Sequence, residues 1–162
     1  MFRKILFVDD DVGLLRVIQD HFSERFGLDT AQCGAHALEL LARQNPYAVI
    51  VSDYRMPGMD GAEFLARAKR LAKDSVRILF TGHADLEVAI RAINEGEIFR
   101  FIPKPCSFEK LENALAAAIE KYDLQAVVDP KRQETSMHSL LTSEEIALLL
   151  RGKLDSPPLS PL

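Results

Sequence analysis

Short apolar runs alternate with longer segments of helical spacing along the first 122 residues of the chain. Most of the runs are rich in Val, Ile and Phe and lack a strict polar alternation, as strands buried on both faces of a parallel sheet do. The runs are Ile5–Val8, Ala48–Val51, Val76–Phe80 and Ile98–Ile102, with a weaker one at Leu28–Cys33. Apolar residues recur three and four positions apart in the segments between and after them, which predicts helices at Leu14–Phe22, Ala35–Gln44, Ala62–Ala72, Asp85–Asn94 and Ser107–Tyr122. Five repeats of strand and helix predict an α/β fold with a doubly wound, five-stranded parallel sheet and helices on both faces.

Reactive polar residues follow the predicted strands at the points where the strands end. Asp9 and Asp10 come after the first strand, Asp53 after the third, Thr81 after the fourth and Lys104 after the fifth. Ligands of such folds bind at the carboxyl ends of the strands, so we expect these side chains to converge there. Carboxylates about 4 Å apart repel each other by about 4 kcal/mol at an effective dielectric constant of 20. Lys104 offsets one charge, and the remainder suits Mg²⁺ better than zinc or copper, because no His or Cys directly follows these strands.

Helix capping is the alternative role for the run of aspartates after the first strand. An acidic residue just before Leu14 favours the amino terminus of a helix, and we expect Asp11 to do only this. Capping does not require three consecutive acids, so we assign Asp9 and Asp10 to metal binding together with Asp53.

Asp53 opens a glycine- and proline-rich turn, where its carboxylate is a candidate nucleophile toward phosphorus. Thr81 offers a hydroxyl, Gly82 leaves room for a phosphoryl group to approach a backbone N–H, and Lys104 offers an ammonium for the phosphoryl oxygens. Each residue alone is better explained as a turn acid, a strand-end threonine or a surface lysine. Together they indicate phosphoryl transfer, which depends mostly on positioning and charge stabilisation.

Four motifs, taken in order within residues 3–122, resemble the receiver domain of bacterial response regulators, the phosphoacceptor proteins of two-component systems and phosphorelays. The motifs are Phe7-Val8-Asp9-Asp10-Asp11, Val51-Ser52-Asp53 with Met56-Pro57-Gly58-Met59-Asp60-Gly61, Thr81-Gly82-His83, and Phe101-Ile102-Pro103-Lys104-Pro105. The resemblance implies a flavodoxin-like fold, as in chemotaxis regulators. It implies a signalling role rather than an enzymatic one, apart from Mg²⁺-dependent phosphorylation of the protein itself and its self-dephosphorylation.

The resemblance assigns Asp53 as the residue that takes a phosphoryl group from a sensor histidine kinase or a phosphotransfer protein. Asp9, Asp10, Asp53 and the backbone carbonyl of Arg55 would hold Mg²⁺ or Mn²⁺. Arg55 and His83 lie two residues after Asp53 and Thr81, at positions that in such proteins tune hydrolysis of the phosphoryl group. Their large side chains lead us to expect slow hydrolysis.

The same resemblance assigns a conformational switch. Thr81 and Lys104 would contact the phosphoryl oxygens, and the bond that precedes Pro105 would be cis. Phosphorylation adds about −1.5 to −2 charges, which would draw Thr81 inward while the ring of Phe101 turns from exposed to buried. Phe101 has no hydroxyl to satisfy, so the inward ring could be easier to populate at rest. The output surface would be the fourth helix, the fifth strand and the fifth helix, and plain core packing is the alternative role of Phe101.

The last forty residues make up a separate region. Leu124, Val127 and Val128 form a second apolar face if the fifth helix continues past Tyr122. Thr142 and Glu145 form a capping-box pattern before a short amphipathic helix. Such a helix is marginal alone and needs a partner. The candidates are the far face of the fifth helix, a second copy of the chain through the fifth helix and this arm, or another protein. We therefore expect a receiver domain at 1–122, a helix extension and linker at 123–139, a short helix at 140–154 and a disordered tail at 155–162.

Composition excludes several classes of function. Apolar residues make up 48% and charged residues 27% of the chain, and the net charge is −4. The last forty residues carry six acids and four bases, so no segment supplies the basic stripe of a nucleic-acid binder. No apolar run reaches the ~20 residues of a membrane helix and no signal peptide is recognised, so we expect a cytoplasmic protein. Cys33 and Cys106 are expected to be reduced, partly buried thiols.

Two alternatives stay open from the sequence. A haloacid-dehalogenase-like phosphatase also uses an aspartyl nucleophile and Mg²⁺, but it needs a second Asp two residues after the nucleophile, where this chain has Arg55. The other alternative is a receiver fragment of a longer regulator with an enzymatic output. Ile98-Phe99-Arg100-Phe101 is similar to the corresponding segment of receivers attached to cyclic-di-nucleotide phosphodiesterases, although no such catalytic residues follow here.

Overall fold

Strands and helices alternate strictly along the protein. We describe it from a computed structural model that covers residues 3–43, 46–82, 85–94 and 98–128. The elements are β1 (Lys4–Val8), α1 (Val12–Phe22), β2 (Gly27–Ala31), α2 (Gly34–Arg43), β3 (Val49–Ser52), α3 (Gly61–Leu71), β4 (Val76–Thr81), α4 (Leu86–Asn94), β5 (Arg100–Pro103) and α5 (Phe108–Val128). The chain divides into two units, Met1–Asp123 and Leu124–Leu162.

The five strands form one parallel sheet in the order β2-β1-β3-β4-β5. This arrangement confirms the predicted doubly wound α/β fold. The chain moves to one side of β1 for β2 and to the other side for β3. The carboxyl ends of β1 and β3, which are neighbours at this switch point, carry Asp9 and Asp53. Ligands bind at such a point in open α/β sheets, so the topology places the candidate site there.

The core is divided between the two faces of the sheet, as alternate residues of β1 illustrate. Ile5 and Phe7 pack on one face with apolar residues of α1 and α5, and Leu6 and Val8 pack on the other face with residues of α2 and α3. All four side chains are buried. Burial on both faces explains why the strand sequences lack polar alternation.

Aspartates begin two of the helices that surround the site. The Asp11 carboxylate accepts a hydrogen bond from the backbone N–H of Leu14 at 3.0 Å and caps α1, which confirms its predicted role. The Asp60 carboxylate caps α3 in the same way, with the N–H of Glu63 as donor at 2.8 Å. Both caps satisfy N–H groups that have no partner within the helix.

The main differences from the predicted elements lie in the last part of the receiver-like region. β5 begins at Arg100 instead of Ile98, because the backbone N–H of Ile98 donates to the carbonyl of Ala92 in α4. The helical spacing of Phe108 with Leu111 and Leu115 predicts that Phe108 lies on the core face of the fifth helix, which is wrong, since it is 42% exposed and stacks on the ring of His21.

The helix α5 continues past Tyr122 to Val128, and Leu124, Val127 and Val128 are exposed. The predicted linker after Val128, the short helix at 140–154 and the tail at 155–162 lie outside the described residues. Within the described ranges, no helix is both long enough and apolar enough to cross a membrane.

Candidate functional site

Three aspartates converge at the carboxyl end of the sheet. Asp9 and Asp10 follow β1, and Asp53 follows β3. Each offers a carboxylate oxygen, and these oxygens lie within 4.8 Å of one another. Asp9 and Asp53 are buried and Asp10 is exposed, so the cluster is open to solvent on one side.

Lys104 reaches this cluster from the end of β5. Its Nζ donates to Asp9 Oδ2 at 2.5 Å and lies 3.5 Å from Asp53 Oδ2. The Lys104 backbone N–H donates to the carbonyl of Thr81 at 2.8 Å, which ties the end of β5 to the end of β4. The peptide bond between Lys104 and Pro105 is cis. The sheet therefore brings an ammonium group to two carboxylates that are distant in sequence.

The charges of this cluster are suited to a hard cation. Burial raises the pKa of Asp9, while the hydrogen bonds from Lys104 and from the Asp11 N–H act against the rise and the nearby Asp53 adds to it. Three carboxylates against one ammonium leave two negative charges unbalanced among these four side chains. A set of carboxylate oxygens with that charge fits Mg²⁺ or Mn²⁺, which take oxygen ligands and can keep several waters.

Gly61 determines how the loop after Asp53 folds back. Its N–H donates to the carbonyl of Tyr54 at 2.7 Å, and a Cβ at this position would lie 2.0 Å from the Asp53 carbonyl oxygen. Gly58 has a φ of 82°, a left-handed conformation that glycine adopts without strain. The Tyr54 N–H donates to Asp53 Oδ1 at 2.8 Å, which leaves Oδ2 on the side of Lys104. Glycine in this turn therefore permits the orientation of the Asp53 carboxylate.

Thr81 and Arg55 both contact Asp85, which the sequence pattern placed only at the start of a predicted helix. Thr81 is buried, and its hydroxyl donates to Asp85 Oδ2 at 3.2 Å. Arg55 Nε donates to Asp85 Oδ1 at 2.8 Å. The only sequence signal for Asp85 is its acidic side chain four residues after Thr81, because its other partner lies 30 positions away.

Phe101 and His83 are the remaining predicted site residues. Phe101 pairs with Leu79 in the sheet, and its half-buried side chain, like those of Tyr54 and Ala92, packs against the core cluster that includes Leu79 and Ile98. A cleft of about 330 Å³ lies nearby between α3 and α4; its lining includes Tyr54, Leu65, Leu79, Val88, Arg91 and Ile98. His83 lies outside the described residues.

Comparisons with known proteins agree with this arrangement. Residues 5–116 match the family described as Response regulator receiver domain. The hydrogenase transcriptional regulatory protein HoxA of Cupriavidus necator is 35% identical over 121 residues, which are 75% of this chain and 25% of HoxA. The chain therefore spans about a quarter of the length of the curated relatives that it matches, as it does for HoxA and for the transcriptional regulator NtrC of Escherichia coli.

Two solved structures extend the similarity to three dimensions. The adenylate cyclase from Rhodopirellula baltica is 36% identical, with a TM-score of 0.77, and the match covers 85% of this chain and 99% of that one. The signal receiver domain of an HD domain-containing protein from Pseudomonas fluorescens Pf-5 is 35% identical, with a TM-score of 0.71, and the match covers 76% of this chain and 98% of that one.

Proposed function

Because the chain belongs to the response regulator receiver domain family, we propose that it is the phosphoacceptor of a two-component system and that Asp53 carries the phosphoryl group. The observation that supports this most strongly is the convergence of Asp9, Asp10, Asp53 and Lys104 at one end of the sheet. In the proposed step, an Asp53 carboxylate oxygen attacks the phosphorus of a phosphohistidine. The O–P bond forms as the N–P bond breaks, and the electron pair of that bond goes to the leaving imidazole nitrogen, which takes a proton from solvent.

Asp9, Asp10, Asp53 and the backbone carbonyl of Arg55 would hold the divalent ion, Mg²⁺ or Mn²⁺. When bound, the ion would neutralise part of the negative charge that two anions bring together. The 2.5 Å bond from Lys104 to Asp9 keeps the ammonium beside Asp53. From there the ammonium can move onto the incoming phosphoryl oxygens.

Thr81 and Phe101 are proposed to read the phosphorylation state. The Thr81 hydroxyl, which donates to Asp85 in the structure, would turn to a phosphoryl oxygen. The half-buried ring of Phe101 would then move further inward. Arg55 and His83 are proposed to set the lifetime of the phosphoryl group, and for Arg55 this is supported by an exposed guanidinium two residues after Asp53.

The downstream activity that phosphorylation of this chain controls has to be argued separately from the phosphorylation itself. HoxA is a transcriptional regulatory protein, and the two solved structures belong to an adenylate cyclase and an HD domain-containing protein. Relatives with such different names share this receiver region, so similarity over this region does not select an output. We propose that the chain acts by switching a protein–protein interface in the cytoplasm, without binding nucleic acid. A receiver region within a longer regulator stays the alternative.

The possible homodimer and the alternative phosphatase activity remain to be considered. Homodimerisation through α5 and the C-terminal arm stays a prediction, which the solution mass of the full chain would test. A haloacid-dehalogenase-like phosphatase finds little support, because Arg55 occupies the position of the required second Asp and its guanidinium is paired with Asp85.

The proposed function is tested by incubation with Mg²⁺ and acetyl phosphate, followed by measurement of the intact mass. We expect the wild-type chain and Asp20→Asn, which alters an exposed aspartate of α1, to gain one phosphoryl group each. Asp53→Asn should gain none. Equal uptake by Asp53→Asn and the wild type, or no uptake by the wild type, would contradict the proposal.

A further inference from the structure

Asp85 is a buried carboxylate beside the proposed phosphoryl site that has no part in the mechanism proposed so far. Only 4% of it is exposed. Each of its two oxygens accepts a hydrogen bond: Oδ2 from the Thr81 hydroxyl at 3.2 Å and Oδ1 from Arg55 Nε at 2.8 Å. A buried carboxylate is stable only when it has such partners, so the two bonds and the position of Asp85 depend on each other.

The two groups that donate to Asp85, the Thr81 hydroxyl and the Arg55 guanidinium, are both proposed to act on a phosphoryl group on Asp53. Thr81 ends β4 next to the site, and Arg55 is two residues after Asp53. The Arg55 side chain is 69% exposed, so it can change partners without repacking the core. The hydrogen bond to Asp85 is the main cause of the raised pKa of Arg55.

We propose that Asp85 is an internal competitor of the phosphoryl group, which holds the Thr81 hydroxyl and the Arg55 guanidinium until phosphorylation of Asp53 draws both of them away. This inference rests on the proposed function. A phosphoryl group brings about −1.5 to −2 charges and three acceptor oxygens, whereas Asp85 offers a single negative charge. The exchange therefore favours the phosphoryl group once it is present, and Asp85 sets how readily the exchange occurs.

The first test is Asp85→Asn, which keeps the size of the side chain and an acceptor for Thr81 but removes the charge. We expect phosphoryl uptake from acetyl phosphate to be faster, and phosphoryl loss after removal of the donor to be slower, each by about three- to tenfold, the factor for turning a charge-assisted hydrogen bond into a neutral one. Glu87→Gln is the matched control, because it removes one negative charge from an exposed residue in the first turn of α4, two positions after Asp85. It should behave as the wild type does.

The second test asks whether Asp85 acts through Arg55. In an Arg55→Gln background, the slowing of phosphoryl loss by Asp85→Asn should shrink by at least about half, because the guanidinium that Asp85 releases is absent. An undiminished effect in this background, or rates for Asp85→Asn equal to those of the wild type, would overturn the proposal. If the wild type takes up no phosphoryl group, the proposed function fails together with this inference. If the wild type is phosphorylated but Asp85→Asn has wild-type rates, only this inference fails, so one series of measurements distinguishes the two outcomes.

A measurement on the wild-type chain covers the case in which Asp85→Asn does not fold. The Nε–H resonance of Arg55, assigned by its absence from Arg55→Lys, reports the bond to Asp85. We expect this resonance to shift when acetyl phosphate and Mg²⁺ are added and to return as the phosphoryl group is lost. A resonance that does not move while the mass shows full phosphorylation would overturn the proposal.

Discussion

The substitution Gly61→Ala tests whether the turn after Asp53 is determined by close contact between backbone atoms. An alanine Cβ at this position would lie 2.0 Å from the Asp53 carbonyl oxygen and 2.8 Å from the Asp53 carbonyl carbon and Tyr54 Cα. These neighbours are backbone atoms, which cannot move aside as the end of a flexible side chain can. The chain must therefore shift as a unit between β3 and α3.

The size of the effect follows from what that shift breaks. Carbon and oxygen atoms that are not bonded approach to about 3.3 Å, so the backbone must open by roughly 1 Å at van der Waals contact. Overpacking of this kind costs about 1–3 kcal/mol, and loss of the 2.7 Å hydrogen bond from the Gly61 N–H to the Tyr54 carbonyl adds about 1 kcal/mol. The smaller entropy of the unfolded alanine chain returns about 0.4–1 kcal/mol. We expect the free energy of unfolding to fall by about 1–3.5 kcal/mol.

Urea denaturation of Gly61→Ala beside Gly82→Ala measures this effect with a matched control. A Cβ at Gly82 would meet no atom of the described residues within 4 Å, so its replacement should leave the free energy of unfolding unchanged or raise it by up to about 1 kcal/mol. Gly61→Ala should also slow phosphorylation under conditions where it is fully folded, because the same shift moves Asp53. Equal midpoints for the two variants would refute the reasoning from backbone contact.

Two other predictions concern single polar side chains. Lys104→Gln removes the ammonium that bonds Asp9 at 2.5 Å and lies 3.5 Å from Asp53. Phosphoryl uptake should therefore fall at least about tenfold, while Mg²⁺ binding, measured by calorimetry, should become tighter. Unchanged uptake would count against the role of Lys104. Burial and the bond to Asp29 raise the pKa of Tyr47 above its ordinary value of 10.0. The folded chain therefore retains this proton where the unfolded chain loses it, and the free energy of unfolding should fall as the pH rises above about 10. Urea titrations on either side of that pH should show a shallower fall for Tyr47→Phe, and an equal slope would show that Tyr47 is not the group responsible.

Much of the fold was predictable because the sheet is buried on both faces. A run such as Ile5–Val8 has no polar position in it, and a short run of this kind that is followed by helical spacing is typical of a buried parallel strand. The start of β5 was less predictable. Ile98 and Ile102 are both buried, but Ile98 lies against α4 and not in the sheet, and hydrophobicity alone does not distinguish the two environments.

The candidate site was predictable to the extent that it follows from strand ends. Asp9, Asp53 and Lys104 each come directly after a strand, so a parallel sheet brings them to the same edge regardless of the loop conformations. Asp85 could not be found in this way. It lies just before α4, where an acidic residue is ordinary, and its role depends on partners in two other segments, Thr81 at the end of β4 and Arg55 in the loop after β3. Contacts between loops depend on tertiary structure that the sequence pattern does not specify.

The central claim is that Asp53 itself becomes an acyl phosphate. Borohydride reduces an aspartyl phosphate to homoserine, so treatment of the protein after incubation with acetyl phosphate and Mg²⁺, followed by peptide mass spectrometry, identifies the residue that carried the group. We expect homoserine at position 53 and at no other aspartate, with none formed when the divalent ion is chelated. Homoserine at another position, or phosphorylated protein that yields none, would contradict the assignment of Asp53.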